Sequence, residues 1–471
     1  MPASTNGTLK TMHTYLFYDI ETTGLNKCFD QVLQFACIRT DHELNELSRE
    51  EIQIKLNPDV VPSPAAVITH RIGPSEFKKG LSEYEGIQKI HALLNTPNTI
   101  SVGYNTLGFD DEFLRFSFYK NLLSPYTHQY ANQCGRMDMY PITLLYYLFK
   151  RDHLKWPDNN GVTSLKLENL NACNDFFKGQ AHNAMVDVEV TLALARQLFS
   201  DKKMWEFVID YFHKKTDEER IAGNTIGFMV NGKIGSASQF IAPVMHLGQH
   251  LHYKNQSLWL RLDEPNLTTT LISSDGSKRA EPIKITEHTR VFKKRLGEPP
   301  IFLPMKERYF NLLSDERKNN FAKNKAWLEN NVDTLKSITH YYQHEKYPDV
   351  PERDVDAALY TIGFPTPVEE KWFQQFHTAK PAEKEAIAMR IPNATRREQA
   401  IRIIGRHFPE HLSAENKHYF DVYLKSQPID FRGEKKLTWE NALIEINDLL
   451  RNKVLDKEQR GLLIELQNAQ P

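Results

Sequence analysis

Cysteine is scarce in this chain: Cys28, Cys37, Cys134 and Cys173 are the only four in 471 residues, and no two are spaced as C-x-x-C. That spacing excludes a disulfide framework. Also missing is any apolar run near the ~18 residues that a membrane helix needs. Met1–Lys10 is small and polar, without the apolar stretch of a signal peptide. The expectation is a cytoplasmic protein in a reducing setting, with no membrane partner. An excess of one charge is lacking too, since 59 Lys and Arg face 60 Asp and Glu for a net charge of −1. This excludes a surface coated in basic residues for non-specific nucleic-acid binding. A local basic groove stays open, because clustering decides that question.

The chain is long enough for two to four domains. Hydrophobic residues make up 40% and charged residues 25%, which is a globular rather than a disordered composition. No internal repeat is visible.

The stretch around which the rest is organised is Thr14–Gly24, T-Y-L-F-Y-D-I-E-T-T-G. Leu16, Tyr18 and Ile20 alternate with Phe17, Asp19 and Glu21, the period of a strand near a sheet's centre. Residues i and i+2 share a face, so the carboxylates of Asp19 and Glu21 project side by side. Burying two like charges that close is costly unless a cation lies between them. A hard divalent ion with oxygen ligands supplies that charge. D-x-E alone says little, since it occurs six times in the chain and most copies are ordinary surface acids. The first copy stands out because it ends an apolar strand and two later stretches can complete a site.

Further strands are expected at Val32–Arg39 and Glu51–Leu56, and a helix at Ser82–Leu94 with Ile87, Ile90 and Leu94 on one side. A short strand, Thr99–Tyr104, runs into N-T-L-G-F-D at Asn105–Asp110. Phe109, Phe113 and Phe116 then follow a helical spacing, which puts Asp110 at a helix N-terminus. Pro141–Lys150 reads as a buried helix. Q-A-H-N-A-M-V-D at Gln180–Asp187 opens another helix, with Val186, Val190, Leu194 and Leu198 on its core face. Strands followed by alternating helices make residues 14–199 an α/β domain with a mixed sheet. Asp201–Arg220 reads as a charged helical connector.

From Ile221 to about Pro304 short β-like runs appear at Leu258–Leu262, Thr269–Ile272 and Ile283–Ile285, fitting a small barrel or sandwich. Helical spacing returns from Lys306, and Tyr347–Arg353 is a plausible break. The division expected is 14–199, 200–350 and 354–471, the last mostly helical. Lys278–Arg308 carries nine Lys and Arg against four Glu. Phe292, Phe302 and Tyr309 lie in or beside it, a combination able to hold a single strand, with core packing the commoner role for any one aromatic.

Four carboxylates emerge: Asp19, Glu21, Asp110 and Asp187. A helix N-terminus favours the negative charge of the last two. Four acids on three elements can hold two Mg²⁺ ions, or Mn²⁺ in their place, roughly 3.5–4 Å apart for in-line phosphoryl hydrolysis. His182 lies five residues before Asp187, where it can take a proton from the attacking water.

D-I-E-T-T-G at Asp19–Gly24, N-x-x-x-F-D at Asn105–Asp110 and H-x-A-x-x-D at His182–Asp187 resemble the three motifs of the DEDD exonuclease superfamily in its histidine form. Beyond them, S-L-K-L-E-N-L at Ser164, S-Q-F-I-A-P at Ser238, D-V-D-A-A-L-Y at Asp354 and G-R-H-F-P at Gly405 make nearly the full chain similar to the bacterial exodeoxyribonuclease I family. The resemblance implies an RNase H-like exonuclease domain, an SH3-like β-rich domain and a helical C-terminal domain. It implies a monomeric, Mg²⁺-dependent 3′→5′ exonuclease of single-stranded DNA serving repair and recombination. It also implies docking of the acidic tail of single-stranded DNA-binding protein, and substrate contacts by Glu21 and Lys166. Two positions depart from the family pattern: Phe240 stands where Trp is familiar, and Lys166 where a substrate-contacting Arg is. Lysine keeps the charge but loses the bidentate fork. The competing readings are an RNA-trimming or proofreading DEDD exonuclease and a catalytically inactive single-strand DNA-binding module. The regions after residue 200 oppose the first, and the intact acids and His182 oppose the second.

Overall fold

The computed structural model describes residues 13–179, 183–269 and 282–469. They fall into two compact units. One is drawn from the chain up to Met137, from Phe177–Ala193 and from Pro348 onward; the other comprises Asp138–Phe176 and Leu194–Tyr347.

The chain begins with β1 (Thr14–Thr22), β2 (Val32–Thr40), β3 (Glu46–Gln53), α1 (Pro64–His70), α2 (Glu83–Leu94), β4 (Thr99–Gly103), α3 (Asp110–Lys120) and β5 (Gly135–Asp138). It continues with α4 (Met139–Phe149), the short hairpin β6 (Asp158–Asn159) and β7 (Val162–Thr163), α5 (Leu167–Asn174) and α6 (Ala184–Phe199). The first sheet has the order β3-β2-β1-β4-β5, so β1 is its middle strand. β1 runs antiparallel to β2 and parallel to β4. Its alternation decides the layers. Leu16, Tyr18 and Ile20 share one core with Ile87 and Ile90 of α2 and Phe113, Leu114 and Phe118 of α3. Each such burial contributes about 1.5–3 kcal/mol. The opposite side of β1 carries Phe17, Asp19 and Glu21.

α2 starts at Ser82 in a capping box with Glu85, which satisfies its first amides from both sides. β3 was expected at Glu51–Leu56 and instead spans Glu46–Gln53. It is the sheet's edge, paired to β2 alone, and its first half is charged and exposed. An edge strand with a solvated face shows little hydrophobic alternation, so the apolar Ile52 and Ile54 drew the expectation toward its far end.

The C-terminal helices belong to the same unit. Phe376, Ile401 and Ile404 share a core with Tyr84 and Leu122, while Ile446, Leu463 and Leu466 pack with Val67 and Ile68 of α1. A buried ionic chain adds to this: Arg406 pairs with Asp59 at 2.9 Å and Asp356 at 2.8 Å, and Arg402 pairs with Asp354 at 2.6 Å.

The second unit is built on an antiparallel sheet of β8 (Ile226–Val230), β9 (Ile241–Gln249), β10 (Ser257–Arg261), β11 (Val291–Lys294) and β12 (Ile301–Pro304) in the order β11-β10-β9-β8-β12. Helices at Asp315–Asn330 and Val332–His344 cover one face through Leu328, Ile338 and Tyr342. Ile283–Ile285, expected as a β-like run, lies instead in a helix, Pro282–His288. Proline suits a first helical turn, where its missing N–H costs nothing, and two isoleucines two apart imitate strand alternation over so short a span. Of the run expected at Thr269–Ile272, everything past Thr269 lies outside the described residues, as do Lys278 and Arg279. Within the basic window, Phe302 and Tyr309 are core residues and Lys294 is a buried ion-pair partner of Asp217. Lys293 pairs with Glu345 at 3.0 Å.

Candidate metal centre

The acids meet where β1 outruns its parallel neighbour. The β1–β4 pairing ends at Phe17 and Val102, so Asp19 and Glu21 stand beyond the carboxyl end of β4. This is the crevice that open α/β sheets reserve for ligands. β4 ends at Gly103, whose ideal Cβ would lie 2.1 Å from the Thr106 side chain, so the tight exit requires glycine. A 3₁₀ turn, Thr106–Gly108, then delivers the chain to Asp110 as the first residue of α3.

After Glu21 the chain turns through Thr23 and Gly24. Thr23 donates to Asp30 at 3.0 Å, and the Asn26 amide donates to the same carboxylate at 2.8 Å. A Cβ on Gly24 would come within 2.5 Å of that carboxylate. Burial pushes the Asp30 carboxyl up to about 6, against the pull of these two hydrogen bonds.

The third element is α6. The Asp187 amide donates to the Asn183 carbonyl at 3.0 Å, which fixes Asp187 in the helix's first turn. The Ala184 amide lies 3.4 Å from the side-chain oxygen of Gln34, and Gln34 stands opposite Glu21 in the β1–β2 ladder. On the helix's next turn Glu189 pairs with Arg49 at 2.6 Å.

These supports bring Asp19, Glu21 and Asp187 together, with a ligating oxygen from each within 4.8 Å of the others. Burial first, and then the charges of Asp110, Glu21 and Asp187, push the Asp19 carboxyl well above its ordinary range. Burial, Asp187 and Asp110 raise Glu21 to about 9. Asp110 is buried and its charge acts on both, but it is not among the three acids whose oxygens converge within 4.8 Å. Carboxylates crowded in this way could hold a hard cation: the oxygen donors suit a divalent ion, and its charge would offset their mutual repulsion.

Adjacent Asp111 plays a different part. It is buried among Arg115, Arg136 and His128. Although burial opposes it, Arg136 and Arg115 hold its carboxyl well below the usual range. One acid of the Asp110-Asp111 pair thus faces the cluster and the other anchors α3 from below. Sequence reasoning missed Asp111, Arg115, Arg136 and Gln34. An Arg four residues after Asp111 was the one visible signal.

His182 lies outside the described residues. Lys166, in the other unit, precedes α5 with its side chain 74% exposed and 3.7 Å from Glu168. Phe240 is buried against Tyr147 at a ring separation of 5.6 Å, so the smaller ring at this position serves the core.

Residues 16–195 match the family described as Exonuclease, and residues 353–469 match the Exonuclease I C-terminal domain. Exodeoxyribonuclease I of Escherichia coli (strain K12) is 37% identical over 190 residues, which is 40% of this chain and 40% of that protein. The alignment therefore spans less than half of that relative's length. Exodeoxyribonuclease I of Buchnera aphidicola subsp. Baizongia pistaciae is 27% identical over 427 residues, 86% of each chain. The solved structure of E. coli Exonuclease I in complex with a 5cy-dT13 oligonucleotide superposes with a TM-score of 0.82 over 97% of this chain and 98% of that one. Its identity is 24%, so this likeness speaks to the fold.

A mixed sheet whose central strand ends in paired acids that meet Asp187 of α6, within a stretch that matches the Exonuclease family, defines a protein with an exonuclease domain. The C-terminal match narrows the likeness further: the chain joins an exonuclease domain to an Exonuclease I C-terminal domain, and in this it is similar to exodeoxyribonuclease I.

Proposed function

We propose that this protein is a Mg²⁺-dependent 3′→5′ exonuclease that degrades single-stranded DNA to 5′-mononucleotides. The observation that carries this reading is the convergence of Asp19, Glu21 and Asp187 within 4.8 Å at the end of the central strand. Two bound Mg²⁺ ions, or Mn²⁺, supply charge neutralisation and Lewis acidity for in-line displacement at phosphorus. Asp19, Glu21, Asp110 and Asp187 hold them. Glu21 also contacts the terminal nucleotide, and its place at the strand's end suits a residue that meets the last phosphodiester. His182 accepts the proton of the attacking water. Lys166 neutralises a phosphate of the strand as a point charge, without the planar grip of arginine.

On this reading residues 14–199 carry the chemistry, while 200–350 and 354–471 bind the strand and partners. The family resemblance extends the proposal to a monomer acting in the cytoplasm, in repair and recombination, and recruited by the acidic tail of single-stranded DNA-binding protein. Digestion of 3′-labelled single-stranded DNA, duplex DNA and RNA side by side, with Mg²⁺ and with chelator, tests it. Release of labelled mononucleotide from single-stranded DNA alone, in Mg²⁺ alone, is the expected result. Preference for RNA would point to a trimming enzyme, and binding without cleavage to an inactive module.

A further inference from the structure

A group of histidines lies in the other unit, in the loop after β9 and at the end of a helix that covers the sheet. His340 and His344 end the helix Val332–His344, four residues apart and therefore on one face. Their rings are 3.9 Å apart, and His252 lies 6.4 Å from His344. All three side chains are exposed. We propose that His252, His340 and His344 form a binding site for a divalent transition-metal ion of the Zn²⁺ class, separate from the carboxylate centre.

Several features prepare the site. The His344 Nδ1 lies 2.8 Å from the His340 carbonyl. A carbonyl only accepts, so Nδ1 carries the hydrogen and Nε2 keeps the lone pair that binds metal. His252 is held by its neighbours: its amide donates to the His250 Nδ1 at 3.1 Å. The same loop is tied to the helix end, with the Leu251 amide donating to the Gln343 carbonyl and the Gln343 side chain donating to the Leu247 carbonyl, both at 3.1 Å. The C-terminal end of the helix adds partial negative charge beneath the three rings.

The rings as they stand do not converge on one point and must rotate to share an ion. Two imidazoles on one tetrahedral Zn²⁺, with Zn–N of about 2.0–2.1 Å, place their ring centres roughly 5–6 Å apart. The His252–His344 separation needs to close slightly and the His340–His344 stack to open, both within reach of exposed rotamers. Nitrogen donors select Zn²⁺-like ions, while Mg²⁺ prefers oxygen, so the two centres of this protein take different metals. Three protein ligands leave a fourth position for water. The ion would clip the loop after β9 to the helix end.

The test uses the full-length protein carrying Asp19→Ala and Asp187→Ala, so that the carboxylate centre no longer competes. Zn²⁺ is titrated calorimetrically in excess Mg²⁺, and thermal melts are taken with and without Zn²⁺. One equivalent of Zn²⁺ should bind and raise the melting temperature. Adding His340→Ala and His344→Ala should weaken binding by more than about tenfold, since even outer-shell partners of a metal are worth 10–100-fold, and should remove the thermal shift. In the wild-type background these two changes should leave Mg²⁺-dependent activity as it was. No binding in the parent, or equal affinity after both substitutions, would overturn the assignment.

Discussion

Glu21 and Gln34 stand opposite each other in the β1–β2 ladder, and the Gln34 side-chain oxygen lies 3.4 Å from the Ala184 amide that opens α6. The Gln34 side chain therefore ties β2 to the helix that carries Asp187, at the rung where β2 pairs with the strand that carries Asp19 and Glu21. Gln34 touches neither metal nor substrate on this account; it positions. Gln34→Leu keeps the volume and removes the acceptor. A titration of activity against Mg²⁺ should show a higher metal requirement and a turnover lower by about 10–100-fold, the usual loss for an outer-shell partner. A wild-type Mg²⁺ curve would mean that α6 is placed without Gln34.

The buried pair of Asp59 and Arg406 makes a prediction about stability. Burial alone would raise the Asp59 carboxyl, but Arg406 and Lys436 hold it well below the usual range. A folded value below the unfolded ~3.9 stabilises the protein above that pH, and the contribution is lost as pH falls through the folded value. Asp59→Asn should cost about 3–5 kcal/mol at pH 7, because it leaves Arg406 short of its counter-charge. Urea unfolding of both proteins at pH 7 and pH 3 should show the gap narrowing in acid. An equal gap at both pH values would refute the linkage.

Gly24→Ala should damage the turn that follows the catalytic strand. The new methyl meets the Asp30 carboxylate, which already receives the Thr23 hydroxyl and the Asn26 amide. Overpacking of this kind costs about 1–3 kcal/mol. A lower melting temperature with reduced cleavage is expected, and an unchanged melt would show that Asp30 moves aside freely.

His182→Ala should lower kcat by about 10²–10⁴-fold, the range for a lost general base, and flatten the acid limb of the pH–rate profile. Retention of that limb would reduce His182 to a structural residue.

Much of the catalytic strand was legible because a period of two places Asp19 and Glu21 on one face whatever surrounds them. The start of α3 at Asp110 followed from the phenylalanine spacing. The choice of Asp110 over Asp111 rested on the N-x-x-x-F-D motif, since both lie in the same first turn; the part Asp111 plays was hidden because it depends on Arg136, 25 residues away. Gln34 was hidden for a related reason: its role rests on ladder register and on a contact 150 residues distant. The Asp59–Arg406 pair, 347 residues apart, leaves no local pattern at all. At the other extreme, the helix at Pro282–His288 was misread because two isoleucines are too few to separate a period of two from one of 3.6.

The central claim is that half-buried carboxylates from β1 and α6 jointly hold the metal that drives cleavage. Its most direct test measures hydrolysis of 3′-labelled single-stranded DNA in Mg²⁺ by Asp19→Ala and Asp187→Ala, with binding of the same strand measured in parallel. Neither substitution opens a cavity in the apolar core. The account predicts that hydrolysis is abolished in both variants while strand binding remains measurable. Near-wild-type turnover in either variant would contradict it.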